Sequence, residues 1–327
     1  MSRARFLRLA AGAATLAVTG LAGQARAQGD AKPPQPGASP PVKSRAAAPM
    51  RTRPIPVSGE ALPIVGLGTW QGFDVSTAAA EYDRLPGVLQ ALFDAGGAVI
   101  DSSPMYGRAE AVTGARLAAA GSRQKAFLAT KVWPRGRLDG IRQMNDSLHL
   151  LQTDRIDLMQ IHNLVDWRTQ LATLRDWKAA GRIRYLGITH YTAGAYDELE
   201  TVMRAERFDF VQVNYSLDEA DAERRILPLA ADRDMAVLIN RPFGGGGLLR
   251  RLRGQPLPPW AAEIGVTSWA QLLLKFVLSQ PAVTCVIPGT SRPEHMADNA
   301  GAGCGRIPDR AFWRRHPELV KLQGSPS

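Results

Sequence analysis

The chain has 327 residues, 45% of them apolar, enough to bury one large core or two smaller ones. Its two cysteines, Cys285 and Cys304, exclude a disulfide scaffold, and five histidines with no close His or Cys pair at ligand spacing give no support to a metal site. The formal charge of +10 suggests a nucleic-acid partner until it is apportioned: residues 1–27 carry +4, residues 28–53 another +4, and the rest of the chain only about +2, so no broad basic face is expected there.

At the N-terminus, Arg3, Arg5 and Arg8 precede an uncharged run from Leu9 to Gly23, and Ala25-Arg26-Ala27 places small residues before Gln28. This is the pattern of a cleaved export signal over 1–27. A retained anchor is the weaker reading, because about 15 residues rich in Ala, Gly and Thr fall short of the roughly 20 that a span needs. The run Ser2-Arg3-Ala4-Arg5-Phe6-Leu7-Arg8 resembles the twin-arginine export motif, with Ala4 in the second arginine's place. The expectation is a periplasmic or otherwise exported protein with no stable membrane insertion after cleavage. Residues 28–53 hold six prolines and almost no large apolar side chain, so they are expected to form an extended tether. The folded domain is then expected over 54–327.

From residue 64 onward short apolar runs alternate with longer amphipathic ones. Strands are predicted at 64–70, 98–103, 126–132, 156–162, 183–189, 208–214, 235–241 and 283–289. Helical patterns separate them, among them RAEAVTGARLAAA, WRTQLATLRDWKAAG and SWAQLLLKFVLS. Buried strands joined by amphipathic helices imply parallel crossovers. Eight such units favour a closed (β/α)8 barrel over an open doubly wound sheet, which would carry a Gly-rich phosphate turn after its first strand. GLGTW is not that turn. The final stretch, including AFWRRHPELVK, reads as one more amphipathic helix against the outside of the barrel.

In such a barrel, chemistry sits at the C-terminal ends of the strands. Asp101, Lys131 and His162 end the second, third and fourth strands, and Tyr106 follows five residues after Asp101. A lone lysine or aspartate near a strand end is more often a surface ion pair than a reactive group. The four together can polarise a carbonyl. The Lys131 ammonium, oriented by Asp101, is expected to bring the Tyr106 hydroxyl down from its ordinary value near 10, and a neutral His162 can donate to the same substrate oxygen. Trp70 and Trp133, which follow the first and third strands, are placed to wall an apolar cleft, and Cys285 in AVTCVIP reads as a small buried hydrophobe.

From about residue 55 to 302 the chain resembles the aldo-keto reductase family. The segments that carry the resemblance are GLGTW (66–70), the run Asp101-Ser102-Ser103-Pro104-Met105-Tyr106-Gly107 followed by AEAVTG, TK (130–131), LLQTDRIDLMQIHN (150–163), GIT (187–189), VQVNYS (211–216) and IPGTSRPEHMADN (287–299). The resemblance implies a catalytic tetrad of Asp101, Tyr106, Lys131 and His162, and a nicotinamide dinucleotide bound in extended form. Gly68, Thr69 and Trp70 match positions beside the nicotinamide ribose, and Thr189 and Gln212 match those that hold the carboxamide. Residues from Arg241 through Phe243 and Gly244 to Gly246 correspond to the loop over the pyrophosphate. At the adenosine end stand Gly289, Thr290, Ser291, Arg292, His295, Asp298 and Asn299. The chain departs from the family where Thr189-His190 replaces a serine-asparagine pair, where Arg241 stands for an aromatic, and where Gly289 and His295 replace basic contacts to the 2′-phosphate. With Arg292 as the remaining basic group, NADPH is preferred over NADH.

The function that follows is NADPH-dependent reduction of an aldehyde or ketone to an alcohol, with a small-molecule carbonyl as the partner and no nucleic acid. A cofactor-binding sensor with little turnover is the alternative, and a nucleotide-free hydrolase or lyase on the same barrel is a third. The sequence specifies neither the carbonyl nor an oligomeric state.

Overall fold

The computed structural model describes residues 49–322, so the export-signal reading and most of the tether reading lie outside the described residues. The fold begins slightly before residue 54. Met50 is buried and bridges to Cys304, and an antiparallel hairpin follows, β1 (Thr52–Pro54) and β2 (Ala61–Pro63).

Eight parallel strands come next: β3 (Leu67–Gly68), β4 (Val99–Asp101), β5 (Phe127–Val132), β6 (Ile156–His162), β7 (Ile183–Thr189), β8 (Phe210–Asn214), β9 (Ala236–Asn240) and β10 (Cys285–Val286). Each pairs with its neighbours in chain order from β3 to β10. The ring is closed by parallel bridges Val65 to Val286 and Gly68 to Gly289, with Gly66 N donating to Val286 O at 2.8 Å and Val286 N to Ile64 O at 2.9 Å. All eight predicted strands are therefore present in a (β/α)8 barrel. The first and last are shorter than their apolar runs because closure there uses isolated bridges in place of a continuous ladder.

The connecting helices are α1 (Leu85–Asp94), α2 (Ala109–Ala119), α3 (Arg137–Leu150), α4 (Trp167–Ala179), α5 (Tyr196–Ala205), α6 (Ile226–Asp232), the short α7 (Gly247–Arg251), α8 (Trp269–Leu278) and α9 (Pro293–Gly301). Ser268 caps α8 by accepting the Gln271 amide at 3.1 Å. Strand periodicity divides the core in two. Outward residues such as Ile100, Met159, Ile188, Val211 and Ile239 pack with the helices, whereas Val99, Phe127, Leu158, Tyr185, Phe210 and Leu238 fill the barrel. Cys285 belongs to that inner cluster, fully buried, and burial pushes its thiol up.

The hairpin floors the barrel. Ile55 and Leu62 join the inner cluster beneath the Phe127, Tyr185 and Phe210 rings, and the Tyr185 hydroxyl donates to Glu60 at 2.6 Å. Arg53 donates to the carbonyl of Leu278, the last residue of α8, and to those of Gln280 and Val283 in the turn that follows. The tail differs from the single helix its pattern suggests. It forms α10 (Arg310–Arg314), capped by Asp309, and then a separate 3-10 turn over Pro317–Leu322. Pro317 lacks the amide needed to continue a helix, so the segment breaks there.

Candidate active site

Strand alternation determines which side chains reach the barrel mouth. In β4, β5, β6, β7 and β8 the inward positions that follow the apolar layer are Asp101, Lys131, Gln160 with His162, Thr189 and Gln212. Lys131 is 1% exposed, and its Nζ donates to Asp101 Oδ2 and to the Ser102 carbonyl, both at 2.7 Å. Asp101 Oδ1 accepts from Gln160 Nε2 at 3.1 Å and from Gln212 Nε2 at 2.8 Å. The carboxylate is thus held on both oxygens, by the ammonium on one and by two neutral amides on the other.

Above this layer the Tyr106 ring lies with its centroid 5.1 Å from Lys131 Nζ, and it meets the His162 ring edge to face at 6.5 Å and 87°. Ser103 Oγ is 3.4 Å from His162 Nδ1 and accepts the Met105 amide at 3.2 Å. With the Ser103 hydroxyl donating to Nδ1, the imidazole proton sits on Nε2.

Electrostatics follow from burial and from Lys131. Burial draws the Lys131 pKa down, but Asp101 and Tyr106 more than offset it, so the ammonium persists. His162 is lowered to about 3 by burial, then by Lys131 and His190, which keeps it neutral as its sequence position suggested. Tyr106 corrects the simple expectation. Lys131 does pull its pKa down, but burial outweighs that and the net direction is up. The hydroxyl holds its proton more firmly than a free phenol in this state.

Asp101, Tyr106 and His162 open onto a cavity of about 920 Å³, near the upper end of the roughly 300–1,000 Å³ typical of ligand pockets. Gly68, Trp70, Thr189, Gln212, Arg241, Phe243, Gly289, Thr290, His295, Asp298 and Asn299 also line it. The other positions implied by the resemblance lie behind the wall or turn from it. The Thr69 hydroxyl is buried against Asp101 O and Ser102 Oγ, at 3.1 and 2.9 Å. His190 accepts the Thr192 amide on Nδ1 at 3.3 Å and stacks on Tyr191. Gly244 and Ser291 are not lining residues, and Arg292 is paired with Glu294 at 2.9 Å. Trp70 and Trp133, 53% and 39% exposed, both face the cavity as expected.

Several lining groups had no prominence in the sequence. Gln160 had a readable signal, a polar residue in the inward register of the apolar run LMQIH. Tyr191, Asn163, Asn240 and Arg253 come from loops or strand ends and had none. Asn163 and Asn240 each keep a buried side-chain oxygen without a hydrogen-bond partner.

A dinucleotide fits these residues on two counts. The unpartnered Asn163 and Asn240 oxygens suit the donors of a carboxamide or ribose. Gly245 and Gly246 line the cavity in left-handed backbone, φ 62° and 88°, where a side chain is disfavoured and the backbone can approach a phosphate closely. Among the described residues no group of acidic, His or Cys side chains is arranged to hold a metal ion, and no helix is long and apolar enough to cross a membrane.

With eight strands, a mouth-facing Asp-Lys-Tyr-His cluster and a large cavity in place, the chain belongs to the aldo/keto reductase family, whose profile matches residues 64–312. It is similar to the methylglyoxal reductase YeaE of Escherichia coli (strain K12), 32% identical over 260 residues that cover 77% of this chain and 89% of that one. Among solved structures it resembles an aldo-keto reductase from Klebsiella pneumoniae in complex with NADPH, at 27% identity and a TM-score of 0.70, covering 85% of this chain and 96% of that one. A second Klebsiella pneumoniae aldo/keto reductase, in complex with NADP and acetate, gives 28% identity and a TM-score of 0.68 over 82% of this chain and 94% of that one.

Proposed function

We propose that this chain reduces aldehydes or ketones to alcohols with NADPH, and that Tyr106 delivers the proton. The observation that carries the reading is the Asp101-Lys131-Tyr106-His162 cluster at a cavity of about 920 Å³. Bound NADPH supplies the hydride. The protein's own groups do the rest: His162 donates from Nε2 to the carbonyl oxygen and fixes its direction, and Tyr106 donates its hydroxyl proton to the same oxygen as negative charge develops there. The Lys131 ammonium, 5.1 Å from the Tyr106 ring, stabilises the phenolate left behind. Asp101 keeps that ammonium charged and in place, and Gln160 and Gln212 hold Asp101.

Titration with NADPH is expected to quench tryptophan fluorescence saturably, since Trp70, Trp133 and Trp269 line the cavity. Absence of quenching would remove the nucleotide from the reading. Tight NADPH binding with no oxidation of NADPH by any of a broad aldehyde panel would favour the sensor alternative.

We also infer from Arg3, Arg5, Arg8 and the uncharged run behind them that the chain acts outside the cytoplasm. Because the twin-arginine route moves folded proteins, cofactor would be loaded before export. Cell fractionation is expected to recover the shortened chain in the periplasm; full-length protein confined to the cytoplasm would contradict this.

A further inference from the structure

The sequence assigns recognition of the cofactor's 2′-phosphate to Arg292, and the structure gives that residue another occupation. Arg292 is ion-paired with Glu294, both residues are largely exposed, and Arg292 is not among the residues lining the cavity. His295 and Gly289 do line it, but a glycine offers no charge and an imidazole lacks the planar fork of donors with which a guanidinium grips a phosphate. A phosphate monoester carries close to two negative charges at that pH. Something else in the wall must meet them if the cofactor is phosphorylated.

Arg241 and Arg253 both line the cavity. Arg241 belongs to the strand-end part of the mouth: its guanidinium is 5.9 Å from the Tyr191 ring, and its charge lowers the carboxyl of Glu219 against the stronger upward effect of burial. Arg253 follows α7, and no hydrogen bond, ion pair or ring contact engages its side chain among the described residues. The turn that carries it is tied to the adenosine end of the cavity. Gln255 O accepts the Trp269 indole N–H at 2.9 Å at the start of α8, and Ser268, which caps α8, donates to Asp298 of α9 at 2.7 Å. Gln271 Nε2 takes the other Asp298 oxygen at 2.8 Å, so the carboxylate lining this end is already engaged and leaves Arg253 unpaired.

We propose that Arg253, not Arg292, is the residue that selects NADPH over NADH, by pairing its guanidinium with the 2′-phosphate. The pairing rests on the cofactor reading above. A planar guanidinium facing a phosphate forms two parallel charge-assisted hydrogen bonds, which a neutral ribose hydroxyl cannot match. The glycine that follows, Gly254, has φ 76°, a left-handed turn that carries the chain back towards α8 directly after Arg253.

The test is the affinity of the whole protein for adenosine 2′,5′-bisphosphate and for 5′-AMP, measured by calorimetry, since the two differ only by the 2′-phosphate. Wild type is expected to prefer the bisphosphate at least about tenfold, Arg253→Ala to abolish that preference, Arg253→Lys to retain part of it, and Arg292→Ala to leave it intact. NADPH and NADH dissociation constants should follow the same order, with NADH affinity unchanged in Arg253→Ala. Loss of the preference in Arg292→Ala, or its survival in Arg253→Ala, would overturn the assignment. So would a wild type with equal affinity for both fragments that still binds NADPH and NADH, an outcome that spares the reductase reading. A wild type that binds neither dinucleotide would instead overturn both.

Discussion

Replacing Tyr106 by phenylalanine is expected to lower turnover by about 10²–10⁴-fold while leaving NADPH affinity within about a factor of two, because it deletes a proton donor and almost no contact area. The pH response follows from the same groups. Burial raises Tyr106 above its ordinary 10, so its acid form is fully present through neutral pH and is lost only as pH rises past that raised value. His162, lowered to about 3, takes up a second proton only in strong acid. Neither group titrates between about pH 5 and 8, so turnover should be flat there. Steady-state rates for both proteins across that range decide the matter: wild-type-like turnover by Tyr106→Phe removes the tyrosine from its role, and an inflection near neutrality abolished by a His162 substitution contradicts the neutral imidazole.

Lys131→Met should have the largest effect on folding and activity together. The substitution leaves the Asp101 carboxylate, 3% exposed, with only two amide donors in place of an ammonium at 2.7 Å. Stranding one member of a buried pair costs about 3–5 kcal/mol, whereas removing both members is much cheaper. The double variant Asp101→Asn, Lys131→Met is therefore expected to recover most of the denaturation midpoint lost by the single variant. Turnover should not recover with it, because the charge that stabilises the Tyr106 phenolate is absent from both. A single variant with wild-type midpoint and turnover would show that the pair has neither role, and recovery of turnover in the double variant would assign the lysine to scaffolding alone.

The barrel was legible in the sequence because its strands are buried on both faces and read as uninterrupted apolar runs, a signal independent of tertiary detail. Asp101, Lys131 and His162 were legible for a related reason: in AVIDSS, AFLATKV and IDLMQIH a charged or ionisable side chain stands at the end of a run that otherwise has no cause to hold one, and Tyr106 follows five residues after the first of them. The hairpin over 52–63 was not. Its strands are three residues each, with Pro54 and Pro63 inside them, and its structure depends on Tyr185, Arg184 and α8, far along the chain. The direction of the Tyr106 shift was hidden as well, because pairwise chemistry with Lys131 can be read from residue types, whereas the opposing burial belongs to the assembled mouth. Arg253 was masked by RRLRG, where nothing distinguishes the arginine that faces the cavity from Arg251, which reaches Asp218 at 3.1 Å.

The floor of the barrel also sets a clock. Arg53 finds its acceptors at Leu278, Gln280 and Val283, and Arg51 N pairs with Gly303 O at 2.9 Å, separations of more than two hundred residues. At about 5–20 residues per second of synthesis, the hairpin emerges on the order of 10–50 s before the segments that receive it. Through that interval Ile55 and Leu62 lack the last members of their inner cluster, Cys285 and Ile287, and contacts of such long range are slow to close even once the whole chain is available. The hairpin can thus be fastened only after the last third of the chain has been made, and the base of the barrel stays open until then.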